Sequence, residues 1–303
     1  MASIHYLQCK DIDTAKWDSC ITNAGNGLIY GYSFYLDTMA KNWDALVLND
    51  YEAVMPLAWN KKIGFYYLYT PVFTSPLAVF GKSITPQLIE NFLHHIPKHF
   101  KLWDINLSVD INPSTPSLKV KKRQNHILAL SGSYDSLLQK FRTSYKQIIK
   151  KGAEAGYTIK KDIAPEPIIE LSVKKMLHTT NISKDDFSRF QKVFHEVKKQ
   201  LRATTYGLYS ADNSLLASGI FFFSHNRAYY MLAGNTVEGR TAGASHQVIH
   251  AFIKDHAGEN ILLDFEGSDV PEIAFFFEGF GATKEIYTHL HLNRLPFPLK
   301  YFK

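Results

Sequence analysis

Cysteine is nearly absent from the 303 residues: only Cys9 and Cys20 occur. Two thiols cannot build a disulfide scaffold, and neither stands at metal-ligand spacing from a histidine, so both are expected reduced. No HExxH and no paired Cys/His set appears among the 13 histidines, so no sequence signature for a metal is present. No uninterrupted apolar run approaches the ~20 residues of a membrane span. Residues 1–5 lack the charged-then-apolar layout of a signal peptide, so the expectation is a cytoplasmic chain with no membrane partner. Low-complexity segments are missing as well.

What is present is enough apolar material, 46% of the residues, to fill two packed cores. The net charge is +6, and much of it falls in 119–123 and in Lys140, Arg142, Lys146, Lys150, Lys151, Lys160 and Lys161. Two readings stand for that run: contact with a polyanion, or a solvated helix face beside a linker.

The stretch 204–290 is the most patterned. Residues 204–210, 215–224 and 227–234 are aromatic and aliphatic runs broken by the turn formers 211–214 and 225–226, which predicts a three-stranded antiparallel meander. Residues 235–245, with Gly239, Gly243 and Arg240, read as a glycine-punctuated loop, and 246–256 carry apolar residues at helical spacing. A loop feeding a helix start offers unpaired N–H groups and partial positive charge, which suits a phosphate. Residues 261–267 then read as a central strand and 270–278 as a short helix.

The N-terminal part predicts helices at 14–24 and 33–41, the second capped by Ser33. A second meander follows at 44–48, 53–59 and 65–69 with turns at 49–50 and 60–62, then a helix at 86–96 and a strand at 102–107. These turns and the Leu102-Trp103-Asp104 strand match their C-terminal counterparts at an offset of 160 to 164 residues, which suggests an internal duplication. The expected units are 1–130 and 131–303, joined through a polar, Pro-containing edge at 113–123, with a strand at 126–130 closing the first. Single helices are expected at 134–155, 165–178 and 183–201, with 181–183 supplying a cap.

Meander, glycine loop, helix, fourth strand, and a helix ending in Gly279-Phe280-Gly281 follow the order of the GCN5-related N-acetyltransferase (GNAT) fold. The chain resembles a tandem copy of it, and 141–146, 150–156, 263–268 and 276–281 are similar to the FemAB-type peptidyltransferases. The resemblance implies an α+β chain of two GNAT-like units, each a mixed, mostly antiparallel sheet flanked by helices. It implies an acyl-CoA site on the second unit only, since the first has no Arg-x-x-Gly element. The family's Gln/Arg-x-x-Gly-x-Gly/Ala signature matches at Arg240 and Gly243, while Ser245 replaces the final small residue; the resemblance implies cofactor contacts from Arg240, Thr241, Gly243, Ala244, Ser245 and the adjoining His246. Where many members have a proton-donating tyrosine, this chain has Phe277. A thiolate, with a free thiol pKa of about 8.5, can leave without that acid.

Glu266 follows the fourth strand, where a carboxylate could take a proton from an attacking amine; Asp264 shares its face by strand alternation and could raise its pKa. Either carboxylate is equally readable as a structural partner. Tyr229, Tyr230 and Tyr287 are read as packing tyrosines or as substrate contacts, Tyr287 being a candidate to replace the missing acid. Three functions follow: an acyl-CoA-dependent N-acyltransferase acting on a small-molecule or peptide amine, a non-catalytic GNAT-fold binding protein, and a transferase from aminoacyl-tRNA to a cell-wall precursor. The FemAB-type helical arm that holds tRNA has no room between 182 and 205, which disfavours the third.

Overall fold

In the computed structural model, residues 3–115, 117–176, 182–267 and 269–301 are described. After β1 (Ile4–Leu7), the helix α1 (Thr14–Asn23) starts where the Asp13 side chain accepts from the backbone of Ala15 and Lys16. The next helix, α2 (Ser33–Met39), is not capped by Ser33: that residue is already helical, and its N–H and hydroxyl both donate to Asp18, at 2.8 and 2.6 Å. Strands β2 (Asn42–Leu48), β3 (Ala53–Lys62) and β4 (Phe65–Tyr69) form the expected antiparallel meander. Its second turn falls later than 60–62, at Ile63 and Gly64, both with left-handed backbone. A short β5 (Phe80–Gly81) pairs with β3, α3 (Pro86–His95) starts on Thr85 with Pro at its first position, and β6 (Phe100–Leu107) runs parallel to β4.

The basic run 119–123 is not a linker edge but the start of the long strand β7 (Lys119–Ala129). The single helix expected over 134–155 is two, α4 (Tyr134–Gln139) and α5 (Thr143–Glu154), because Arg142 leaves helical geometry to donate its N–H to the Gly279 carbonyl at 2.9 Å. Then come β8 (Thr158–Lys161), α6 (Pro165–Met176) and α7 (Lys184–Gln200), the last begun by a reciprocal capping box between Ser183 and Asp186. Residues 177–178 of the expected helix and Asn181 of the expected cap lie outside the described residues.

Strands β9 (Arg202–Tyr209), β10 (Leu215–Ser224) and β11 (Arg227–Asn235) make the second meander. After it stand α8 (Val237–Thr241), α9 (Ala244–His256), β12 (Leu262–Asp264), α10 (Pro271–Glu278) and β13 (Thr283–Asn293). The run Phe221-Phe222-Phe223 is explained by strand alternation: Phe221 stacks on Phe252 of α9 at 3.8 Å, while Phe222 stacks on Phe190 of α7 at 5.7 Å. Helices therefore cover β10 on both faces, so its sequence is apolar throughout rather than alternating.

The chain divides into one unit of residues 1–123 with 286–303 and another of 124–285. This departs from the expected break at 130. The reason is β13, whose residues 288–293 pair antiparallel with β6 and bury Leu290 and Leu292 in the first unit's core. Strand order in the first unit is β1-β2-β3-β4-β6-β13, and in the second β7-β12-β11-β10-β9-β8. Each unit thus has a three-stranded meander followed by a fourth strand parallel to the third. Among the described residues, no helix is long and apolar enough to cross a membrane.

Candidate functional site

In the second unit β11 and β12 part company after three pairs. Parallel pairing of β11 with β12 covers only Arg227↔Leu262 to Tyr229↔Asp264, after which β11 continues to Asn235 while the other chain turns away. At the turn, Phe265 is buried and stacks on Phe277 at 4.4 Å, and Glu266 follows with φ 63° and Gly267 with φ 77°. A left-handed glutamate is an uncommon backbone state, held here by its N–H bonding the Asp264 carboxylate at 2.8 Å. Glu266 is half-buried and lies just past the last β11–β12 pair.

Asp264, expected beside Glu266 as a second carboxylate, is fully engaged elsewhere. It accepts from Arg227 at 2.5 Å and from Asn125 at 2.9 Å, and Arg227 also grips Glu285 at 2.9 and 3.0 Å. Burial pushes Asp264 up, against the charge and hydrogen bond of Arg227. Burial also pushes Glu285 up, but the Arg227 and Asn125 hydrogen bonds outweigh it and hold that carboxyl below its usual range. With Arg227 balancing its charge, Asp264 is a poor means of raising Glu266; its geometry is that of a structural ion pair.

The residues expected to hold a cofactor are brought together, but not as an open glycine loop. Thr236 caps α8 by accepting from Gly239, and the N–H groups of Arg240, Ala242 and Gly243 are spent on Thr236, Glu238 and Arg240 carbonyls. Gly243 caps α9 in the left-handed region, and a Cβ built there would lie 2.5 Å from Ile148 of α5. Ala244 is buried, Ser245 accepts from the Asn235 amide at 2.8 Å, and only Arg240 and Thr241 are exposed. The His246 ring is enclosed by Tyr145 at 4.4 Å and Phe276 at 4.9 Å, and burial lowers its pKa. A pyrophosphate needs bare backbone at Gly243, and Ile148 stands there instead; these residues do not fit the family's phosphate cradle.

The remaining candidates separate. Tyr229 is fully buried, the Tyr230 ring stacks on Phe221 at 4.9 Å, and Tyr287 lies on the part of β13 that belongs to the first unit. In the basic run, Lys161 pairs with Asp255 at 2.7 Å and Arg142 lies 3.8 Å from Glu278, while Lys140 and Lys151 are exposed.

His126 was not singled out by sequence. It is wholly buried on β7, neither ring nitrogen has a hydrogen-bond partner, and Nε2 lies 3.6 Å from a carboxylate oxygen of Glu278. Burial lowers its pKa, with Glu278 pulling the other way. A neutral imidazole beside a carboxylate can take up a proton. Its partner lies far along the chain, on α10, so no local pattern could have paired them.

No family model and no curated protein matches the chain. Among solved structures, FemX matches with a TM-score of 0.68 at 14% identity, over 98% of this chain and 99% of that one. A conserved protein of unknown function from Bacteroides thetaiotaomicron matches with a TM-score of 0.61 at 12% identity, over 96% and 99%. L-PGS from Bacillus licheniformis matches with a TM-score of 0.54 at 13% identity, over 96% and 95%. At such identities the likeness speaks for the fold alone, which this chain shares with FemX and L-PGS.

Proposed function

We propose that the chain is an N-acyltransferase that moves an acyl group from an activated donor to an amine. The observation that carries this is the parting of β11 and β12 beyond Tyr229 and Asp264, with Glu266 at the opening. Likeness in fold to FemX supports the same class, and the parallel fourth strand in each unit supports reading the two as tandem copies of one plan. A lysine-type amine, with a pKa of about 10.4, is protonated near neutral pH and must lose a proton before it attacks. Asp264 and Glu285 are held by Arg227; the proton acceptor in this proposal is Glu266, for its place just past the last β11–β12 pair.

For the donor, an acyl-CoA held outside the family's phosphate cradle, with only the exposed Arg240 and Thr241 as contacts, is one reading. An aminoacyl ester carried on tRNA is the second, favoured by Ile148 seated over Gly243 and by the exposed lysines of the 140–151 stretch. Calorimetric titration with acetyl-CoA and with aminoacyl-tRNA separates the two. With the donor that binds, Glu266→Gln is expected to lower kcat by about a hundredfold or more while donor affinity holds. Equal turnover by the variant makes Glu266 structural, and a comparable loss found only in His126→Gln moves the base to the His126–Glu278 pair.

A further inference from the structure

We infer that the first unit carries a transition-metal site formed by Asp104, His289 and His291. It is separate from the acyl-transfer reading above and uses none of its residues. In β13 the sequence His289-Leu290-His291 puts both imidazoles on one face, with Leu290 turned into the core. On the neighbouring strand, Asp104 is the direct register partner of His291, and Asn106 that of His289. The three side chains each offer one ligand atom, and those atoms lie within 4.8 Å of one another. Bonds of about 2.0–2.1 Å to a tetrahedral zinc would set ligand atoms roughly 3.4 Å apart, so small rotamer adjustments close the set.

Hydrogen bonding prepares one ligand. Nδ1 of His289 lies 3.0 Å from the Asn106 side-chain oxygen, an acceptor, so the proton sits on Nδ1 and Nε2 carries the lone pair. That Nε2 faces an Asp104 carboxylate oxygen at 3.3 Å. With the proton on Nδ1 these two atoms make no hydrogen bond to each other, and both present lone pairs to the same space. His291 brings a third ligand atom within 4.8 Å of the other two, so the cluster offers three ligands where a proton would use two, as a metal site does. An imidazole whose far N–H is held by a carbonyl is the usual arrangement of a metal-bound histidine.

The ion class follows from the surroundings. Lys121 and Arg123 lie within electrostatic reach of His289, which disfavours ions held by charge alone, such as magnesium and calcium. Zinc(II), cobalt(II) or nickel(II), which bond neutral imidazole, fit two nitrogens and one carboxylate, with water completing the shell.

The test is calorimetric titration of the tag-free full-length chain with zinc chloride in a non-chelating buffer, followed by cobalt(II) with its visible absorption recorded. One saturable site per chain is expected. His289→Ala and His291→Ala should each weaken zinc by about tenfold or more, since even an outer partner of a ligand is worth that much. Absence of saturable zinc binding overturns the inference. So does unchanged affinity in the double variant with the parent's circular dichroism. Should the double variant lose its fold, Asp104→Asn, at a part-exposed position, takes its place, and unchanged zinc affinity there overturns the site equally.

Discussion

Gly243 carries two separate constraints that sequence merges into one. Its glycine could be read as leaving room for a phosphate, but the residue has φ 67°, and the space beside it is filled by Ile148. The left-handed backbone alone makes a side chain cost about 1–2 kcal/mol, and contact at 2.5 Å adds to that. Gly243→Ala is therefore expected to lower stability in urea by about 2 kcal/mol or more, whether or not a donor binds here. Ile148→Ala removes the clash but not the strain. The two substitutions together should be less than additive, with a coupling of about 0.5 kcal/mol or more in a double-mutant cycle. Strict additivity would mean that Ile148 does not rest on this glycine.

Elements were legible where the signal is local. The meander turns at 49–50, 213 and 225–226 carry left-handed Asn49, Asn213, His225 and Asn226, three of the four being asparagine, which tolerates that backbone best after glycine. The helix break at Arg142 was not legible, because its cause is a carbonyl at Gly279. The role of Asp264 was hidden in the same way: its arginine lies 37 positions away, and that arginine's other carboxylate lies 58 positions away. Arg227 ties β11 to β12 and to the start of β13, and Asn125 adds β7. Removing the guanidinium leaves two carboxylates with no balancing charge, and breaking a buried pair from one side costs about 3–5 kcal/mol. Arg227→Met should destabilise the chain by that order in urea unfolding, and adding Asp264→Asn should recover a part of it. No recovery would show that Arg227 acts through packing of its stem alone.

At the scale of the whole molecule, strand pairing decides what belongs together, and pairing partners are not written in the strand itself. The stretch 283–293 follows the second meander and so falls by position in the expected 131–303 unit, but residues 288–293 pair with β6 and the 286–303 segment joins the first unit. Leu290 and Leu292 are both fully buried there, in the cluster that also holds Phe92, Phe100 and Trp103. Truncating one buried leucine to alanine costs about 2–5 kcal/mol, so losing two along with the strand that carries them exceeds what a domain of this size can spare. A chain ending at Glu285 keeps the carboxylate for Arg227 but removes this strand from the first unit. Hydrogen exchange should then show β2, β3 and β6 losing protection by at least about a hundredfold, while β10 and β11 stay near the parent's level. Equal loss in both units would mean that they unfold as one, and protection retained in β6 would mean that the C-terminal strand is dispensable to the first unit.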